Sequence, residues 1–129
     1  MSRNRNMKIF LMNDQHTFEY VIETDRVSVG RASHNDWCVP HHEISKDHFV
    51  IYAQDEEYFI QDQGSKNGVF IDGVRIEPYK KYPMDIKQNI VVARVFKLAF
   101  YRRPGHTELG ITGAIELESQ SEIYEKIKK

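Results

Sequence analysis

Between residues 8 and 101, hydrophobic side chains recur at every second position in short bursts, and the spacing of an amphipathic helix is absent. Residues 8–12 read as a first strand, Asn13-Asp14-Gln15-His16 as a polar turn, and residues 18–22 as a returning strand, which together predict a hairpin. Residues 27–29 alternate so that Val27 and Val29 share a face, and this strand delivers Gly30-Arg31 at its exit. A short strand at 37–39 stops at Pro40. Residues 48–53 and 58–62 flank the acidic turn Gln54-Asp55-Glu56-Glu57. Asp72-Gly73, a strong hairpin signal, joins 69–71 to 74–76. Pro78 and Pro83 then break the pattern, and strands at 89–92 and 96–101 close the series. Roughly ten short strands with closely spaced turns and no internal repeat predict an all-β sandwich or barrel.

The pattern changes at Arg102-Arg103-Pro104-Gly105, which reads as a domain boundary between a domain at 7–101 and a tail at 102–129. In the tail, Ser119 followed by Glu122 has the form of a capping box, and Ile123, Tyr124 and Ile127 would share one face of the short helix it starts. So short a helix is unstable alone in water. It is therefore expected to dock on the sandwich or to lead into a further, effector domain.

Composition narrows the function class. A chain of 129 residues with 40% hydrophobic and 12% aromatic residues supports one core. A formal net charge of -1 removes the broad electrostatic basis for nucleic-acid binding, although a local basic pocket is compatible with it. The single cysteine, Cys38, cannot form an internal disulfide, which favours a reducing, cytoplasmic setting. The apolar run Ile9-Phe10-Leu11-Met12 is too short for a signal-peptide core, and no apolar stretch approaches membrane-spanning length.

Candidate chemistry gathers in three loops: Val29-Gly30-Arg31-Ala32-Ser33, Ile44-Ser45-Lys46-Asp47-His48-Phe49 and Gly64-Ser65-Lys66-Asn67-Gly68. Each residue alone has an ordinary explanation. Arg31, Lys46 and Lys66 could be solvated charges, Ser45 a turn cap, and Asn67-Gly68 only a turn. The conjunction says more. Gly30 permits close backbone approach, Arg31 offers a forked contact to phosphate oxygens, Ser45 adds a hydroxyl, and Lys46 and Lys66 add compact charge.

The set Gly30-Arg31, Ser45-Lys46-Asp47-His48-Phe49 and Ser65-Lys66-Asn67-Gly68-Val69-Phe70-Ile71-Asp72-Gly73 resembles a forkhead-associated (FHA) domain in order, spacing and strand context, over residues 7 to 101. The resemblance implies an eleven-stranded β-sandwich that binds phosphothreonine peptides through loops at one end, with no cofactor and no metal. It implies that Arg31 and Ser45 contact the phosphate, that Lys46 stands where many relatives place a further phosphate contact, and that Asn67 bonds the peptide main chain. His48 in this pattern is structural, bracing the loops from inside, and Gly30 and Gly68 serve backbone shape. The chain departs from the pattern at Lys66, where relatives carry Ser or Thr, at Val69, often Thr, and at Asp72, commonly Asn. Lys66 exchanges a hydroxyl contact for added attraction to phosphate.

Other functions fare worse. A nucleophile-base pair of Ser45 and His48 lacks a third orienting group, and residues three apart on an extended strand point to opposite faces. Cys38, His41, His42 and His48 match no zinc spacing. Gly64-Ser65-Lys66-Asn67-Gly68 is not a nucleotide-binding phosphate loop, since it lacks the required glycine spacing and opens no helix. The nearest rival is a degenerate FHA-like sandwich that binds an unphosphorylated partner or its own effector domain. Finally, Thr112-Gly113-Ala114-Ile115 places an isoleucine three residues after a threonine, so a phosphorylated Thr112 is a candidate ligand for the chain's own Arg31 and Ser45, against the simpler reading of an unmodified linker.

Overall fold

The computed structural model describes residues 7–102, and the expectations for Thr112 and for a helix starting near Ser119 lie outside them. Eleven strands follow in order: β1 Met7–Met12, β2 Thr17–Ile22, β3 Arg26–Gly30, β4 Trp37–Cys38, β5 Phe49–Gln54, β6 Glu57–Asp62, β7 Val69–Ile71, β8 Val74–Arg75, β9 Lys81–Pro83, β10 Ile90–Val92 and β11 Phe96–Arg102. They form two sheets, one of six strands in the order β2-β1-β11-β10-β7-β8 and one of five in the order β4-β3-β5-β6-β9. Named strand pairs are antiparallel except β3 with β4, which run parallel through Val29↔Trp37 and Gly30↔Cys38. Among the described residues no helix is long and apolar enough to cross a membrane.

The alternation in the sequence becomes the inner face of the sandwich. Val27 and Val29 of β3, Phe49, Ile51 and Ala53 of β5, and Tyr58 and Ile60 of β6 face Ile9 and Leu11 of β1, Ile90 and Val92 of β10, and Phe96 and Leu98 of β11 in one buried cluster. The register Leu11↔Leu98 across β1 and β11, and Ile51↔Ile60 across β5 and β6, keeps apolar residues on one face. A slip of one residue would turn every such side chain outward. Burial of each large aliphatic or aromatic side chain stabilises by about 1.5–3 kcal/mol.

Two details differ from the sequence reading. Residues 81–83 form a strand, β9, that the prolines at 78 and 83 concealed. β9 pairs only with β6 at the margin of its sheet, where a residue without an N–H leaves no central ladder bond unmade. The second difference is the turn between β10 and β11. Ala93 and Arg94 both take positive φ, 58° and 61°, within the three-residue connection 93–95 between the paired Val92 and Phe96, yet neither is glycine or asparagine. At Asp72-Gly73, with φ 52° and 84°, the turn has the residues its geometry favours.

Candidate functional site

The loops that follow β3, β4 and β6 meet at one end of the sandwich, and hydrogen bonds join them directly. The N–H of Arg31 donates to the carbonyl of Ser45 at 2.9 Å, and that of Ala32 to the carbonyl of Lys46 at 3.2 Å. The N–H of Lys66 donates to Ser45 Oγ at 3.0 Å, which ties the third loop to the second. Gly30 makes this approach feasible. A Cβ there would lie 2.1 Å from the Lys46 carbonyl oxygen and 2.7 Å from Asn35 Nδ2, closer than real Cβ atoms come.

His48 sits beneath this junction and is fully buried. Its Nδ1 accepts the N–H of Ser45 at 3.0 Å, so the ring proton must be on Nε2, which donates to the Gly68 carbonyl at 3.0 Å. The neutral ring therefore spans the second and third loops, and burial lowers its pKa from the ordinary histidine value. Gly68, at φ +82°, is in a conformation that side-chain-bearing residues rarely adopt, and its carbonyl also accepts the N–H of Ala93 at 2.8 Å. Ser45 and His48 thus meet, because the chain bends between them before β5 begins. What His48 accepts, however, is the backbone N–H of Ser45 and not its hydroxyl, and with both ring nitrogens engaged the pair has no general base for Ser45 Oγ.

The cationic side chains occupy the rim. Arg31 is exposed, with Nε donating to the Ile44 carbonyl at 3.0 Å, which anchors the guanidinium by its Nε edge. Lys46 and Lys66 are exposed as well. Among the described residues no carboxylate lies within ion-pair distance of Arg31, Lys46 or Lys66. Asn67, half-buried, donates from Nδ2 to both the main-chain carbonyl and the carboxylate of Glu43, each at 2.9 Å. A rim of unpaired cations with a hydroxyl and an amide suits a compact oxyanion.

The family model of the FHA domain matches residues 27–93, more than half of the chain. The chain belongs to the FHA domain family. No curated protein matches it at the level of sequence. Solved structures share its fold: the FHA domain of a Chlamydia trachomatis protein, at 21% identity and a TM-score of 0.65, covers 76% of this chain and 98% of its own. Mycobacterium tuberculosis EmbR in complex with a low-affinity phosphopeptide, at 22% identity and a TM-score of 0.61, covers 76% of this chain but 25% of its own. An FHA structure from a study of phosphothreonine-dependent FHA domain interactions, at 15% identity and a TM-score of 0.63, covers 77% of this chain and 98% of its own.

Several residues that shape this FHA site gave no sign in the sequence. Asn35, buried, donates from Nδ2 to the carbonyls of Ala32 and Lys46 at 2.9 and 2.7 Å, closing the first loop onto the second. Asp62 accepts the N–H groups of Gly64 and Ser65 and the hydroxyl of Ser65, and Ser65 Oγ in turn accepts the N–H of Gly68, so an acidic residue and a serine fold the third loop from within. Arg75 reaches back from β8 to the carbonyls of Ser65 and Lys66 at 3.1 and 3.3 Å. The cluster Ser33-His34-Asn35-Asp36 signals a turn, yet only the tertiary pairing shows which carbonyls Asn35 satisfies. Among the described residues no group of three or more His, Cys, Asp or Glu could hold a metal ion.

Proposed function

We propose that this FHA domain, residues 7–101, is a non-catalytic module that recognises phosphothreonine in a partner protein, and that the tail from 102 connects it to an effector in a cytoplasmic signalling protein. In this reading Arg31 and Ser45 bind the phosphate, with Lys46 and Lys66 adding charge, and Asn67 bonds the main chain of the peptide. Gly30, His48 and Gly68 hold the three loops at the spacing this requires. The observation that carries the reading is the hydrogen-bonded meeting of those loops with Arg31, Lys46 and Lys66 left without carboxylate partners among the described residues. EmbR bound to a phosphopeptide and the phosphothreonine-dependent interactions of another FHA structure support it.

A phosphothreonine-oriented peptide library screened on the purified chain supplies a ligand, and titration calorimetry then compares that peptide with and without its phosphate. Micromolar binding that disappears on dephosphorylation is expected, since charge-assisted hydrogen bonds contribute about 1.5–3 kcal/mol each before the losses of ordering a peptide. Arg31→Ala should weaken binding by about tenfold to a hundredfold. Equal affinity for the two peptides, or indifference to Arg31→Ala, would instead favour a sandwich that binds an unphosphorylated surface. Because the second ionisation of the phosphate lies near pH 6, affinity should also weaken below about that pH.

A further inference from the structure

We infer that Glu43, outside the residues that carry the resemblance, sets the ligand preference of this site: it orients Asn67 and favours partners with a cationic side chain beside the phosphorylated residue. The inference rests on the phosphopeptide reading above. Both partners of Asn67 Nδ2, the Glu43 carbonyl and Glu43 Oε1, can only accept hydrogen bonds, so the orientation of the Asn67 amide follows from chemistry. Both amide hydrogens are thereby used. What Asn67 retains for a ligand is Oδ1, an acceptor, and the group it can receive is a main-chain N–H.

The second consequence is electrostatic. Glu43 is anchored at the rim by its N–H, which donates to His41 Nδ1 at 3.1 Å, by its carbonyl and Oε1, which accept from Asn67, and by Oε2, which lies 3.4 Å from His42 Nε2. Its side chain nevertheless keeps 36% exposure, so the negative charge faces whatever lies along Asn67. A phosphate held by Arg31, Ser45 and Lys46 is shielded from that charge by the two cations among them. The peptide residue that passes Asn67 has no such shield. A lysine or arginine there gains attraction, and a glutamate or aspartate meets repulsion.

The test uses the whole chain at pH 7.5 and phosphothreonine peptide libraries in which Lys or Glu is fixed at each flanking position in turn. Wild type should retain Lys over Glu by about tenfold at one or two adjacent positions, and the preference should shrink as salt rises from about 0.05 to 0.5 M. Glu43→Gln keeps an acceptor for Asn67 and removes the charge, so it should still bind phosphopeptides in a phosphate-dependent way while the Lys/Glu ratio falls below about twofold. Glu43→Ala keeps the main-chain acceptor of Asn67 but removes the carboxylate one, so it should weaken phosphopeptides in general by loosening the Asn67 amide, with an unchanged melting temperature showing that the fold is kept. Phosphate-dependent binding with no charge preference in wild type, or with the same preference in Glu43→Gln, would overturn the inference and leave the phosphopeptide reading standing. Failure of every phosphopeptide to bind wild type would remove both.

Discussion

At the scale of single residues, two glycines, Gly30 and Gly73, fail for different reasons when given a side chain. Gly30→Ala drives a Cβ into the Lys46 carbonyl, 2.1 Å away, and the obstruction is backbone, which cannot swing aside. We expect a loss of about 3 kcal/mol, at the upper end of overpacking costs, together with loss of phosphopeptide binding, because the shift needed separates the Arg31 and Ser45 loops. Gly73→Ala meets nothing within 4 Å, and only its φ of +84° is unfavourable. A cost of about 1–2 kcal/mol with intact binding is expected there. Urea denaturation of the two variants, with calorimetric titration of one phosphopeptide, separates steric from conformational strain. Equal effects on binding would contradict this account of Gly30.

At the scale of elements, β5 is the strand on which the sandwich depends, since it lies between β3 and β6 and carries Phe49, Ile51 and Ala53 into the core. Ile51 is 1% exposed, so Ile51→Ala should cost about 2–5 kcal/mol, whereas Val74→Ala on the marginal strand β8, where the residue is 68% exposed, should cost under about 0.5 kcal/mol. Denaturant midpoints of the two variants decide the matter, and similar losses would mean that β8 is part of the cooperative core. The long alternating strands were legible because each buries one face and a period of two is left in the chain. β9 was not legible. Its three residues include Pro83, and its place at a sheet margin, which makes that proline tolerable, is a property of the assembled sheet.

At the scale of the whole molecule, folding leaves His48 and His41 with pKa values below the ordinary histidine value of 6.5, His48 through burial and His41 through burial with His42 and His16 beside it. The unfolded chain therefore binds protons at these sites before the folded one does as pH falls. The stability these two neutral rings contribute is present above about pH 6.5 and declines as pH drops below it. The urea midpoint should fall between pH 7.5 and 5.5, and His48→Gln, although less stable at pH 7.5, should show a shallower dependence. A flat wild-type profile would mean that another group compensates. The amino-acid sequence by itself determined the all-β class, the order of the strands, the three loops that carry Arg31, Ser45 and Asn67, and the resemblance to FHA domains, because side-chain period and short-range turn chemistry are local properties of a chain. The tertiary structure alone decided that Asn35, Asp62 and Arg75 hold those loops, that His48 joins Ser45 to Gly68, and that Glu43 rather than solvent holds Asn67. Such partners are chosen by where distant strands end in space, and a hydrogen bond across 20 or more residues, such as His48 to Gly68 or Asn67 to Glu43, leaves no mark in the spacing of either residue's neighbours.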